Sequence, residues 1–180
     1  MITVKSPTVQ ERAQLIELSR VCRAETDLDI NPDYFKDFPE FFFSGIWDMT
    51  FNKPAQNLAK VAYNDNVPVG FCSVGDLSED YLTLLKDFET QDCGELHQIY
   101  ILRAHQHSGL GKHLYKEALK ALHNLGHKNF ILCTYSNNDK ACAFYEHMGC
   151  VCLQDMILPV KGLTKNWQIP VRFYKGKVAL

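Results

Sequence analysis

The stretch Arg103-Ala104-His105-Gln106-His107-Ser108-Gly109-Leu110-Gly111-Lys112 separates two patterns of different period. Upstream, Glu95 to Leu102 alternates as a strand. Leu96, Gln98, Tyr100 and Leu102 fall on one face and His97, Ile99 and Ile101 on the other, and apolar residues on both faces predict a central, buried strand. Downstream, Gly109 to Leu125 places Leu110, Leu114, Ala118, Ala121, Leu122 and Leu125 on one helical stripe, with Gly126 at the expected left-handed stop. Strand end, turn, glycines and helix start therefore coincide. At such a junction the first helical N–H groups have no partner within the helix, and the helix dipole favours negative charge there. Glycine also lets an anion approach the backbone, so the segment suits phosphate binding. A loop whose glycines merely permit a tight turn is the plainer alternative. The spacing is neither that of a P-loop nor that of a dinucleotide fingerprint.

Asn129 to Tyr135 is a second buried strand, so the Gly109 helix crosses between two parallel strands. Before this unit, Ile2 to Lys5 reads as a strand, and Thr8 with Glu11 forms a capping box for a helix reaching about Cys22. Arg23 to Asn31 is polar and acidic. Asn31-Pro32 then starts a second helical segment, interrupted at Pro39 and rich in aromatics through Phe51. Leu58 to Tyr63 and Val67 to Val74 form a hairpin around Asn64-Asp65-Asn66, and Tyr81, Leu84, Leu85 and Phe88 predict a helix within Gly75 to Gly94. After the second buried strand come a helix from Asn138 to Met148, stopped by Gly149, and closing strands Cys150 to Leu158 and Gln168 to Lys175. The order predicts an α/β domain on a mostly antiparallel sheet, with one parallel pair.

A chain of 180 residues has the size of a single domain. Its hydrophobic content of 46% and charged content of 22% leave no room for extensive disorder. No apolar run approaches the ~20 residues needed to span a bilayer, and no secretion signal is expected at Met1 to Pro7. Seven cysteines at irregular spacing point to a reducing, cytoplasmic setting. Cys150-x-Cys152 and His105-x-His107 each lack a matching second pair, so no metal site is expected. With no basic stripe interleaved with aromatics, nucleic acid is not an expected partner, and neither is a membrane.

The blocks Ile99-Tyr100-Ile101-Leu102, Gln106-His107-Ser108-Gly109-Leu110-Gly111, Asn138-Asp139-Lys140-Ala141 and Phe144-Tyr145-Glu146-His147-Met148-Gly149, in this order and spacing, resemble the GNAT superfamily of acyl-CoA-dependent N-acyltransferases. The likeness covers about residues 95–150, while residues 1–94 match only in layout. It implies a GNAT-like mixed sheet of six to seven strands flanked by about four helices, with a splayed parallel pair around the cofactor. Residues 1–94 would shape the acceptor site, 95–150 bind acetyl-CoA, and 151–180 close the sheet. The resemblance further implies that backbone N–H groups of Gln106, His107, Ser108, Gly109, Leu110, Gly111 and Lys112 hold the pyrophosphate of acetyl-CoA. Ile99, Tyr100 and Ile101 would pair with pantetheine, the Ile101 N–H would polarise the thioester carbonyl, Asn138 would bond the pantetheine arm, and Tyr145 would lie near the sulfur. Arg103 stands where many relatives carry proline, and Cys150 where an aromatic is usual.

Acetylating an alkylamine requires a base, because at pH 7 only about one lysine-like amine in 2,500 is unprotonated. Glu95, at the start of the central strand, is the first candidate and His97 the second, with a solvated strand end and a packed histidine as the plain alternatives. Tyr145 is the candidate acid for the departing thiolate, and a core aromatic otherwise. Cys142 is rejected as a nucleophile because no paired His or Asn is evident. Direct transfer in a ternary complex is expected.

The net charge of −2 hides a division: residues 1–95 carry 8 basic and 17 acidic side chains (8 − 17 = −9), and residues 96–180 carry 11 and 4 (11 − 4 = +7). Acids cluster from Glu25 to Glu40 and from Asp76 to Glu95. If both runs flanked one cleft they would favour a cationic amine, with Asp27, Asp29 and Glu95 as candidate acceptor contacts. The blocks Glu95 to Ile101 and Gln106 to Leu114 are also similar to bacterial polyamine N-acetyltransferases, which makes a polyamine or related small amine the leading expected acceptor. A protein or peptide N-acetyltransferase and a non-catalytic CoA-binding regulatory module are the competing readings, and a homodimer is compatible with the chain.

Overall fold

The computed structural model describes residues 1–179. Seven strands form one sheet in the order β1-β2-β3-β4-β5-β7-β6: β1 (Ile2–Lys5), β2 (Asn57–Asn64), β3 (Val67–Asp76), β4 (Cys93–Ile101), β5 (Asn129–Tyr135), β6 (Val151–Lys161) and β7 (Asn166–Lys177). Every neighbouring pair is antiparallel except β4–β5, the parallel pair expected on either side of the crossover helix. That helix, α5 (Leu110–Asn124), packs Leu114, Ala118 and Leu122 against Leu96, Phe130 and Leu132 on one face of the sheet. The other face is covered by α1 (Arg12–Ile30) and α3 (Phe41–Asn52) over β2 and β3, and by α2 (Pro32–Lys36) and α4 (Glu79–Leu84) over β5 and β7. With α6 (Asp139–His147) there are six helices among the described residues rather than about four.

Local chemistry accounts for most boundaries. Glu11 accepts hydrogen bonds from the Thr8 N–H (2.8 Å) and hydroxyl (2.9 Å), and a short 3₁₀ turn, Val9–Glu11, leads into α1. Asn31 caps α2 by accepting the Tyr34 N–H, with Pro32 at the first helical position. Asp65 and Asn66 both adopt positive φ, as a two-residue hairpin turn requires. The β6–β7 hairpin runs further towards its turn than its sequence pattern predicted, to Lys161 and from Asn166, and β7 continues to Lys177.

Two expectations are corrected. First, α1 does not stop near Cys22 but continues to Ile30. The apolar periodicity fades after Cys22 because the last turns bury an ion pair, Arg23 with Asp27, instead of leucines. Second, β4 does not keep strict alternation. Its register with β3 shifts so that Val74 faces Leu96 and Ser73 faces Gln98, leaving His97 as the extra residue of a β-bulge. Leu96, Ile99 and Ile101 therefore share the α5 side, while Tyr100 packs near Phe71 beneath α1 and α3.

Leu114 has no solvent exposure and joins α5 to the sheet. Leu114→Ala is expected to lower unfolding stability by about 2–5 kcal/mol, read in urea as a lower midpoint with an unchanged slope.

Candidate active site

Only three residue pairs join β4 to β5, Cys93–Asn129, Gly94–Phe130 and Glu95–Ile131. Beyond them the strands separate, and a cavity of about 700 Å³ occupies the gap. The Leu102 N–H donates to Val69 on the β3 side (2.9 Å). Since N–H groups alternate in direction along an extended chain, those of Ile101 and Ile99 turn towards the gap. The Ile101 carbonyl on that side accepts from the Gln106 side chain (3.0 Å), which ties the loop to the strand end. Ile99, Tyr100 and Ile101 all reach the cavity wall.

Past β4 the chain makes a 3₁₀ turn, Arg103–His105, and then curls tightly. His107 (φ 58°) and Gly109 (φ 83°) are left-handed, and the Ser108 hydroxyl donates to the His105 carbonyl (2.7 Å). Left-handed residues within such a curl direct successive N–H groups into one concavity, which suits an anion. The first backbone bond of α5 runs from the His113 N–H to the Gly109 carbonyl (3.1 Å), so the preceding N–H groups are not used by the helix. A methyl on Gly109 would meet nothing within 4 Å, hence glycine serves its φ there and not space. Gln106, His107 and Gly111 line the same cavity as Ile101.

Across the gap, Asn138 caps α6 by accepting the Ala141 N–H through its side-chain oxygen (3.1 Å), leaving its Nδ2 as a donor at the cavity wall. Tyr145, 9% exposed, follows two turns later and also faces the cavity. Burial first, then the neighbouring Tyr100 and Cys150, pushes its phenol above the usual tyrosine range, so it stays protonated. Cys142 is buried, with its thiol towards the Tyr135 carbonyl (3.8 Å).

Glu95 and His97 form one unit. The Glu95 carboxylate, 8% exposed, accepts the Ser78 N–H (3.3 Å) and lies 3.0 Å from His97 Nδ1. An ionised Glu95 thus fixes the proton on Nδ1 and leaves the lone pair on Nε2. Nε2 is buried and has no hydrogen-bond partner among the described residues. His97 reaches the cavity wall and Glu95 stands behind it. The ring fits beside β3 because residue 75 is glycine, since a methyl there would come within 2.6 Å of Nε2. The bulge and Gly75, neither apparent as a functional signal in the sequence, therefore position the histidine.

A family model described as the acetyltransferase (GNAT) family matches residues 13–150. The chain belongs to the GNAT acetyltransferase family. Among solved structures it is similar to PaiA N-acetyltransferase of Thermoplasma acidophilum in complex with coenzyme A (16% identity, 98% of this chain and 99% of that one, TM-score 0.66). It is also similar to YncA of Salmonella typhimurium with acetyl-CoA (16% identity, 100% and 95%, TM-score 0.70). A third is the ribosomal-protein-S18-alanine N-acetyltransferase of Escherichia coli (16% identity, 100% and 96%, TM-score 0.68). At these identities the structures testify to the GNAT fold. The open amides of the curled loop and the unpaired edge of β4 fit the pyrophosphate and pantetheine of a coenzyme A group.

The acidic side chains are placed differently from the sequence reading. Asp27 does not reach the cavity: it has no solvent exposure, and its carboxylate lies 3.4 Å from Arg23 Nε. Asp29 does reach the wall but pairs with Arg103 (2.7 Å). Of the remaining acids in the first run, Glu40 holds Arg20, Asp33 meets Lys36, and Asp37 accepts from Trp167 and Thr164. The second run does not flank the opening. Asp76 meets His127 and Asp92 meets Lys128, both near the closed end of the β4–β5 pair. Arg23, set aside as part of a polar connection, instead lines the cavity with Tyr34, Tyr100 and Tyr135, and no periodicity marks it.

Arg103 now has a reason to replace proline in this GNAT chain: its N–H donates to the Glu25 carboxylate (2.6 Å), and its guanidinium reaches Asp29 and the Glu25 carbonyl. Arg103→Ala keeps the N–H bond, and because the side chains are well exposed it is expected to cost under about 1 kcal/mol. Arg103→Pro also removes the donor and is expected to cost about 1 kcal/mol more. Thermal unfolding of the two variants checks the order.

Proposed function

We propose that the chain is an N-acetyltransferase that moves an acetyl group from acetyl-CoA to the primary amine of a small molecule, by direct attack in a ternary complex. The observation that carries this reading is the opening between β4 and β5, where one cavity meets the curled loop, the Ile101 edge, Tyr145 and His97. Acetyl-CoA supplies the activated acyl group. Backbone N–H groups from Gln106 to Lys112 hold its pyrophosphate, the Ile99 to Ile101 edge pairs with its pantetheine, and Asn138 donates to the same arm. The seven cysteines, all free thiols, support a reducing cytoplasmic setting.

In this mechanism the Ile101 N–H donates to the carbonyl oxygen as negative charge develops on it. His97, oriented by Glu95, takes the amine proton directly or through water as the N–C bond forms. Tyr145 gives its proton to the sulfur as the C–S bond breaks, and solvent restores it. Cys142 has no base beside it and takes no part.

The enclosing wall favours a small acceptor. Val160, Ile169 and Val171 of the β6–β7 hairpin close one side, and α1 closes another. A polyamine keeps one structural support, the carboxylates of Glu25 and Asp29 at the cavity wall, and it would have to compete there with Arg103.

Tyr145→Phe is expected to lower kcat about 100-fold with acetyl-CoA affinity unchanged. Because the phenol titrates above its ordinary range, no alkaline limb from Tyr145 is expected below pH 10, and a limb there that vanishes in Tyr145→Phe contradicts its role. His97→Ala is expected to lose about 100-fold at pH 7. That deficit should shrink as pH approaches the pKa of the acceptor amine, where free base forms without help. A deficit constant from pH 7 to 10 removes His97 as the base.

A further inference from the structure

The acceptor side of the cavity carries a cation where the sequence suggested acids. Arg23 lies in the interior of α1 with its side chain 12% exposed, its guanidinium over the Phe38 ring (4.7 Å) and near that of Tyr100 (5.7 Å). Its nearest carboxylate, Asp27, is 3.4 Å from Nε and out of hydrogen-bond geometry. The buried Nε of Arg23 makes no hydrogen bond of good geometry among the described residues, although guanidinium carries five N–H donors and stays charged. Asp27 lies off the cavity wall while Arg23 lines it, and the two carboxylates of that wall, Glu25 and Asp29, are engaged by Arg103. Tyr34, Tyr100 and Tyr135 surround it, and burial raises each of their pKa values, so the phenols remain donors. A guanidinium among phenolic hydroxyls, on a wall whose carboxylates Glu25 and Asp29 are already engaged by Arg103, matches a planar oxyanion better than an ammonium group.

Taking the transferase reading as given, we propose that the acceptor is a small amine that also bears a carboxylate, and that Arg23 binds this carboxylate while the amine faces the Ile101 edge. Arg23 thereby sets specificity, and a polyamine is disfavoured by the like charge.

The test is a discontinuous acetylation assay with free amino acids of α-, β- and γ-type, the matching amino-acid amides, and polyamines. The amides have the lower amine pKa and so the larger free-base fraction, and a preference for the acids cannot arise from protonation. The expected result is kcat/KM about 10- to 100-fold higher for the best amino acid than for its amide. That ratio should collapse towards 1 in Arg23→Gln and be partly restored in Arg23→Lys. Removing Arg23 alone leaves Asp27 buried without its counter-charge, so Arg23→Gln/Asp27→Asn is the second variant, with folding checked by circular dichroism. Calorimetry adds a reading independent of turnover: the N-acetyl amino acid should bind the wild-type protein loaded with CoA and lose at least about 10-fold in affinity in the double variant. Turnover of amides or polyamines at rates equal to or above the amino acids overturns the carboxylate proposal and leaves the transferase standing. Acetyl-CoA binding with no turnover of any amine overturns the transferase reading and this proposal with it.

Discussion

The early end of the β4–β5 pairing is the constraint on which the rest of the molecule depends. Each of these strands has a different partner on its far side: β4 stays paired with β3 through Ile101 despite the bulge, and β5 stays in register with β7 through Tyr135. After Glu95 and Ile131 the two halves of the sheet therefore follow separate neighbours, and the bulge at His97 adds local twist on the β4 side. The exposed peptide edge would be costly in a sheet interior, since unpaired buried N–H and C=O groups must find partners. In the proposed function, a bound thioester chain with amide groups of its own provides them. The helix joining the two strands begins at the mouth of the same opening, so its unpaired N–H groups and the strand edge meet one cavity, as the proposed function requires.

Electrostatics in this protein is more local than its sequence division suggests. Acids of the first half are drawn to bases of the second: Asp29 to Arg103, Asp76 to His127, Asp92 to Lys128. Most of these are exposed, and such pairs contribute little stability each. They bring part of the opposite charge of the two halves together in space. Inside the cavity the short-range contributions are the oriented peptide dipoles of the curled loop and Arg23, beside the Arg103–Glu25–Asp29 group on the same wall. Both act in a poorly solvated space, where fixed charges and dipoles count for more than they do at the surface.

The parts legible in the sequence are those made by backbone. The curled loop needs a glycine at 109 for its positive φ, the crossover helix shows its stripe, and the hairpin turn shows Asn64-Asp65-Asn66; each leaves a local pattern. The parts that were not legible depend on distant chain segments. The bulge at His97 is a relation between β3 and β4, and it needs Gly75 on the other strand to admit the ring. The last turns of α1 lack an apolar stripe because an ion pair replaces it, so the helix could not be followed past Cys22. Asp27 and Asp29 read alike as acids two apart, yet on a helix two positions separate faces, and one is buried under Arg23 while the other meets Arg103.

Arg23 and Asp27 also bear on why the acceptor wall is built as it is. Burying an ion pair gains little over well-packed apolar residues of similar volume and is often less stable. The remainder of this sheet face is covered by leucine, tryptophan and phenylalanine, so apolar residues at positions 23 and 27 together would extend the existing core. Stability alone therefore does not account for an arginine there. Neither does packing, because the aromatic rings under the guanidinium would pack as well against leucine. A guanidinium whose buried Nε lacks a hydrogen bond to the protein is an incomplete arrangement, and under the carboxylate proposal a ligand oxyanion completes it. The donor half of the site has the same character, with peptide N–H groups of the curled loop that the helix does not use. Under the two proposals, then, strong donors on both sides of the opening find their partners in anionic groups that arrive from outside.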